Sequence, residues 1–137
     1  MSIEIKSVAI DQILDIRHQV LWPAKSPDFV KVPEDDNGMH FGLYDSNKLV
    51  SVISLFPDGR RMRFRKFATL PAYQNKGLGS QLLQFVIDTA VEMEYLSIWC
   101  DARVSALSFY EKFGFEKCSE SFLKEDIAYY KIERILR

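Results

Sequence analysis

The chain has 137 residues, 47% of them apolar, with 18 Lys and Arg against 19 Asp and Glu and a formal net charge of −1. That length suits one compact domain with its own core and leaves no room for a second of ordinary size. A near-neutral charge lacks the basic excess of a general nucleic-acid binder, and no apolar run reaches the ~20 residues a membrane-spanning helix needs. Met1-Ser2-Ile3-Glu4-Ile5-Lys6 has no apolar stretch of the secretory kind. A soluble, cytoplasmic protein is expected, with Cys100 and Cys118 as reduced thiols.

In chain order, Ile3 and Ile5 alternate as in a strand. Ile10, Ile13, Leu14 and Leu21 then fall near helical spacing until Pro23 stops the pattern. The stretch from Pro23 to Met39 holds Pro23, Pro27, Pro33 and the acidic run Glu34-Asp35-Asp36, and reads as an irregular excursion of a kind that often carries function. A hairpin follows, His40 to Asp45 and Lys48 to Pro57 around Ser46-Asn47, then a turn at Pro57-Asp58-Gly59 and a fourth strand from Arg60 to Leu70. Period two places Arg61, Arg63 and Arg65 on one face of that strand and Met62, Phe64 and Ala68 on the other.

From about Leu78 an amphipathic helix aligns Leu78, Leu82, Val86, Ala90 and Met93. Tyr95 to Cys100 follows as a strand, close enough for a crossover that sets it parallel to the fourth. A short helix from about Ser105 stops at Gly114, a left-handed C-cap. Phe115 to Ser119 and Ile127 to Ile135 read as two closing strands.

The segment Gln74-Asn75-Lys76-Gly77-Leu78-Gly79-Ser80 joins the fourth strand to the amphipathic helix. Backbone N–H groups without intrahelical partners and the helix dipole make such a junction an anion-binding place, and Gly77 and Gly79 let the main chain come close. The dinucleotide fingerprint would need a glycine at the position of Leu82, and the P-loop a Gly-Lys-Ser/Thr ending; neither fits. What remains, Gln-x-x-Gly-x-Gly, resembles the acetyl-CoA pyrophosphate loop of the GNAT N-acetyltransferase superfamily. Downstream, Ala106-Leu107-Ser108-Phe109-Tyr110-Glu111-Lys112-Phe113-Gly114-Phe115 resembles the same superfamily's second cofactor segment, Ala-x-x-Phe/Leu-Tyr-x-x-x-Gly-Phe. Gly42 to Ser51 reads like its second and third strands with a tight hairpin between them.

The resemblance implies a mixed α/β fold over residues 1–137 as a single domain, with a central sheet of six to seven strands flanked by about four helices. Its fourth and fifth strands run parallel and splay at their C-terminal ends. On that pattern the backbone of Phe67, Ala68, Thr69 and Leu70 binds pantetheine as a pseudo-strand, and the Leu70 N–H donates to the thioester carbonyl. Gln74, Asn75, Lys76, Gly77, Leu78, Gly79 and Ser80 hold the pyrophosphate, and Ser108 and Lys112 lie near the cofactor's outer portion. Tyr110 is the general acid toward the departing thiolate; without the motif around it, it reads as a packed core tyrosine.

Relatives often place a glutamate on the fourth strand as general base, yet Arg60 to Phe67 contains no carboxylate. Asp101 is the nearest acidic candidate, with His40 and the Glu34-Asp35-Asp36 run behind it; a structural Asp101 paired with Arg103 is the other reading. The arginine face either holds an acceptor's carboxylate or phosphate or is an ordinary solvated face. Arg17-His18-Gln19-Val20-Leu21-Trp22-Pro23 resembles an Arg-x-x-Val-Leu-x-Pro segment of some small family members, which implies Arg17, Trp22 and Phe29, together with Arg65, as acceptor contacts. No His or Cys spacing suggests a metal.

The resulting expectation is an enzyme that moves acetyl from acetyl-CoA to a primary amine, on a small molecule or peptide, by direct attack in a ternary complex. The alternative is a non-catalytic acyl-CoA-binding sensor or assembly subunit on the same fold. A nucleic-acid module built on Arg60 to Lys66 is a distant third. The acceptor, the acyl-chain preference and the oligomeric state stay open, a homodimer through edge strands included.

Overall fold

The structure, a computed structural model, describes residues 2–136. They form β1 (Ile3–Ser7), α1 (Ile10–Leu21), β2 (Met39–Asp45), β3 (Lys48–Asp58), β4 (Arg61–Thr69), α2 (Leu78–Glu92), β5 (Ser97–Arg103), α3 (Leu107–Glu111), β6 (Glu116–Lys117), β7 (Phe122–Lys124) and β8 (Ile127–Ile135). The strands form one eight-stranded sheet in the order β1-β2-β3-β4-β5-β8-β6, with β7 also paired to β8. Contacts divide the chain into two compact units, one running to Phe56 and including Phe64–Val86, the other made of Pro57–Arg63 and the residues from Ile87 on.

In the first unit β1 pairs antiparallel with β2 from Ile3↔Asp45 to Ser7↔Phe41, and β2 with β3 from Met39↔Leu55 to Asp45↔Lys48. Ser46 (φ 51°) and Asn47 (φ 73°) both sit in the left-handed region, the backbone that a two-residue hairpin needs to match strand twist. Ile13 and Ile16 of α1 pack with Val52 and Ala68, and Val8, Ile10, Val20, Leu21, Leu49 and Leu70 surround them. Past Pro23 the excursion forms two 3₁₀ turns, Pro27–Val30 and Asp35–Asn37. Its Val30 and Val32 are buried.

In the second unit β4 begins parallel to β5, with Arg61↔Ser97, Met62↔Ile98 and Arg63↔Trp99. β8 runs antiparallel to β5 from Ser97↔Ile135 to Arg103↔Tyr129. The strand missing from the sequence reading is β7, which folds back on β8 through Glu125 (φ 51°) and Asp126 (φ 66°). It raises the strand number from the expected six or seven to eight. An acidic pair is a weak turn signal beside Asn-Gly, so this arm was not legible.

Among the described residues there are three α-helices, close to the expected number of about four. Residues Val104–Ala106 make a 3₁₀ turn, so the helix expected from Ser105 starts only at Leu107. Met93, placed by periodicity on the buried face of α2, is 46% exposed, because the helix ends at Glu92 and Glu94 turns left-handed (φ 63°). Both cysteines are free thiols, and no helix among the described residues is long and apolar enough to cross a membrane.

Candidate functional site

The first unit holds the strand-to-helix junction. β4 carries a left-handed residue, Lys66 (φ 57°), and runs on to Thr69; Leu70 then leads into a 3₁₀ turn, Pro71–Tyr73. The Leu70 N–H donates to the Val50 carbonyl at 2.9 Å. This corrects the expectation that it faces a thioester: it is engaged toward β3, and the alternation of a strand turns the backbone of Phe67 and Thr69 to the opposite edge. Gln74 is likewise engaged locally, Nε2 donating to the Thr69 carbonyl at 2.9 Å, so its side chain straps the loop to the strand end.

The two glycines are needed for different reasons. Gly77 lies at φ 79°, after Asn75 at φ 61°, a backbone that L side chains other than Asn and Asp seldom adopt. Gly79 needs space: a Cβ there would stand 3.2 Å from Thr69 Oγ1 and 3.4 Å from Phe67 Cζ. Thr69 Oγ1 is held at 2.8 Å from Ser51 Oγ, so this neighbour is not free to give way. The Gln81 N–H closes on the Gly77 carbonyl at 3.1 Å, which leaves the N–H groups of Leu78, Gly79 and Ser80 as the helix's first turn. Asn75, Lys76 and Gly77 are exposed, with Lys76 Nζ 5.7 Å from the centre of the Tyr73 ring.

In the second unit Tyr110 is 8% exposed, with Phe109 and Phe115 edge-on at 5.2 and 5.9 Å. Its carbonyl accepts the Phe113 N–H at 2.9 Å and the Phe115 N–H at 3.4 Å as the chain turns through Gly114 (φ 87°). Burial pushes the phenol well above its ordinary value of 10.0, Cys100 adds to the rise, and Arg103 only partly opposes it. The hydroxyl therefore keeps its proton. Ser108, on the same short helix, and Lys112, just after its end, are exposed.

Asp101 lies within β5, where Oδ2 accepts from Arg63 Nη2 at 3.0 Å and from Lys124 Nζ at 3.3 Å. The structural reading of this carboxylate is the one the geometry favours, with Arg63 and Lys124 as its partners in place of the expected Arg103. Each arginine of β4 has its own acid: Arg61 pairs with Asp58 at 2.8 Å, Arg63 with Asp101, and Arg65 with Glu34 at 3.6 Å. In the second unit Arg61, Arg63 and Lys131 also gather on Trp99, at 5.2, 4.5 and 4.5 Å from its ring.

Arg17, expected to touch an acceptor, is fully buried. Its Nη1 donates to the Val30 carbonyl and to Asp35 Oδ2, and its Nη2 to Asp35 Oδ1 and Ser54 Oγ, each at 2.9 Å. A guanidinium engaged in this way is a brace inside the fold. Asp35 also accepts the Val32 N–H at 2.8 Å, and His40 bridges Ser54 Oγ (2.6 Å) and the Asp35 carbonyl (2.8 Å). Burial pushes the Asp35 carboxyl up, but the Arg17 bond, the Val32 N–H and the guanidinium charge outweigh it and leave it below its ordinary 3.8.

Sequence reasoning missed Asp35 and Ser54 as partners of Arg17. A signal was present: Arg17 shares a helix face with Ile13 and Ile16, and a charge on a buried face calls for a buried counter-ion. Trp22 meets Phe29 edge-on at 5.2 Å, and Phe29 is 37% exposed. Among the described residues no group of three His, Cys, Asp or Glu side chains is arranged for a metal.

A family profile for the acetyltransferase (GNAT) domain matches residues 26–136. The uncharacterized N-acetyltransferase YitI of Bacillus subtilis is 28% identical over 129 residues, covering 88% of this chain and 87% of that protein. Among solved structures, a Lactobacillus plantarum protein described as an N-acetyltransferase superposes with a TM-score of 0.89 at 20% identity, over 100% of both chains. A GNAT family acetyltransferase from Elizabethkingia anophelis with acetyl-CoA bound superposes with a TM-score of 0.80 at 19% identity, over 98% of both chains. At such identities the two structures speak for the fold alone.

Proposed function

Since the chain belongs to the GNAT acetyltransferase family, we propose that it is a single-domain N-acetyltransferase that moves acetyl from acetyl-CoA to a primary amine by direct attack in a ternary complex. The observation that carries this reading is the pair of glycines at the start of α2: Gly77 in a left-handed conformation and Gly79 in close approach to Thr69 and Phe67, where a Cβ would sit 3.2 Å from Thr69 Oγ1. Together they bare the backbone at the first turn of a helix, as a pyrophosphate requires.

Leu78, Gly79 and Ser80 hold that pyrophosphate through their N–H groups, and Lys76 adds a point charge. The edge of β4 to which Phe67 and Thr69 turn their backbone takes the extended pantetheine, with Ser108 and Lys112 at the outer part of the cofactor. When bound, acetyl-CoA supplies an acetyl group activated as a thioester. Tyr110, its phenol pushed up by burial, keeps its proton near neutral pH and delivers it to the departing thiolate. The amine loses its own proton to water, with Asp101 held in its ion pairs. Trp22, Phe29 and Arg65 contact the acceptor.

Calorimetric titration with acetyl-CoA and with CoA tests the reading. Wild type should bind both, and Gly79→Trp, which drives a ring into Thr69 and Phe67, should bind at least about tenfold more weakly, a loss of about 1.4 kcal/mol. A folded wild type that binds neither ligand overturns the proposal. Binding without CoA release in the presence of amines would favour an acyl-CoA sensor.

A further inference from the structure

The excursion between α1 and β2 is held by side chains. The backbone bonds of its two turns are local, each closing three residues back: Phe29 to Ser26, Lys31 to Asp28, Asp35 to Val32, Asn37 to Glu34 and Gly38 to Asp35. Its anchors come from α1 and β2, where Arg17 grips Val30 and Asp35, His18 bonds the Lys25 carbonyl at 2.7 Å, and His40 bonds the Asp35 carbonyl. Each excursion residue that Arg17 grips is buried and has a solvent-facing neighbour. Beside Val30 stands Phe29, 37% exposed, and beside Asp35 stands Glu34, with 59% of its side chain exposed and its carboxylate 3.6 Å from Arg65 Nη1.

We infer that Arg17 is a positioning residue for acceptor choice: by gripping Val30 and Asp35 it sets where the Phe29 ring and the Glu34 carboxylate stand, without itself meeting substrate. This rests on the acetyltransferase reading. A preset aromatic ring and a preset carboxylate on one excursion suit an acceptor with an apolar or aromatic body and an ammonium group. The Phe29 ring already takes an ammonium, since Lys25 Nζ lies 5.2 Å from its centre. Arg17 is suited to the grip because one rigid fork meets three acceptor atoms of two residues on the excursion and one on β3, a pattern the single ammonium of lysine does not reproduce. Arg17 Nε is buried without a partner, so the side chain is held by its Nη groups alone.

Arg17→Met alone leaves the Asp35 carboxylate buried and unpaired and risks the fold. The working variant is therefore Arg17→Met/Asp35→Leu, which replaces the ion pair with apolar groups of similar bulk, with Arg17→Lys beside it. For each, the acetyl-CoA dissociation constant is measured by calorimetry, and kcat and KM are measured for tyramine and for glucosamine as an amine with a polar body. Wild type should prefer tyramine. In the double variant acetyl-CoA binding should stay within about twofold, while KM for tyramine rises about tenfold with kcat little changed and the preference over glucosamine shrinks; Arg17→Lys should follow the double variant.

A folded double variant with the wild-type KM and preference overturns the proposal. So does rescue by Arg17→Lys, which would mean that only the charge matters. Wild type that binds acetyl-CoA and acetylates neither amine overturns the acceptor class and the proposal with it, whereas wild type that fails to bind acetyl-CoA overturns the acetyltransferase reading itself.

Discussion

Arg17 and Asp35 meet in two parallel hydrogen bonds of 2.9 Å, with the guanidinium fully buried and the carboxylate nearly so. The two residues lie 18 apart in sequence, one on a helix and one in a turn of the following excursion, so this contact fixes chain that no sheet ladder reaches. Removing one partner leaves a buried charge uncompensated. Arg17→Met should lower stability in urea unfolding by about 3–5 kcal/mol, and Arg17→Met/Asp35→Leu should recover most of that loss. Equal destabilisation in single and double variants would mean that the pair is not coupled.

The same pair sets an acid limb of stability. Asp35 holds its proton more weakly in the folded chain than in the unfolded one, so its stabilisation is fully present above the unfolded value, roughly pH 4, and is lost as pH falls through the lower folded value. Urea midpoints measured between pH 6 and pH 2 should fall less steeply in Asp35→Asn than in wild type. Parallel curves would exclude Asp35 as a contributor.

His40 should carry a proton on Nε2. A carbonyl only accepts, so the 2.8 Å contact with the Asp35 carbonyl puts a proton on Nε2. Ser54 Oγ accepts from Arg17 and lies 2.6 Å from His40 Nδ1. Nitrogen-15 spectra of the imidazole should show a protonated Nε2. The reverse tautomer would break the assignment of the whole chain from Arg17 to His40.

Tyr110→Phe should lower kcat by about 10²-fold with little change in acetyl-CoA affinity, as the loss of a general acid does. Because burial holds the phenol well above its ordinary value, any decline of kcat between pH 7 and roughly pH 9.5 should persist unchanged in the variant. An unchanged kcat would return Tyr110 to the core and remove it from the chemistry.

The two thiols should separate by access. Cys100 is buried, and burial with the nearby Asp101 charge pushes its thiol well above 9.0, while Cys118 is exposed, with Sγ donating to the Lys131 carbonyl at 3.5 Å. Iodoacetamide should label Cys118 in the folded protein and Cys100 only after denaturation. Labelling of both at equal rates would contradict the burial of β5.

The parts of this fold legible in the sequence were those encoded locally. Ser46-Asn47 announced its hairpin because both positions demand left-handed backbone. Gly77 and Gly79 announced the junction because one answers a dihedral angle and the other a close approach. What stayed hidden depends on which chain segments meet. The Leu70 N–H could be aimed only once the register of β4 against β3 was known, and the left-handed Lys66 inside the strand makes counting by twos unsafe. Asp101 and Arg17 had readable charges, but their partners Lys124, Asp35 and Ser54 lie 18 to 37 residues away in sequence. Only Arg17's place on an apolar helix face hinted that such a partner had to exist.

The chain has two tryptophans, and they fall one to a unit: Trp22 after α1 in the first, Trp99 among Arg61, Arg63 and Lys131 in the second. Nature has thus supplied a separate optical label for each half. With Trp22→Phe the intrinsic emission reports the second unit alone, and with Trp99→Phe it reports the first. Coincident melting curves from the two variants would mark a single cooperative body, and displaced ones would show one half loosening while the other still glows as native.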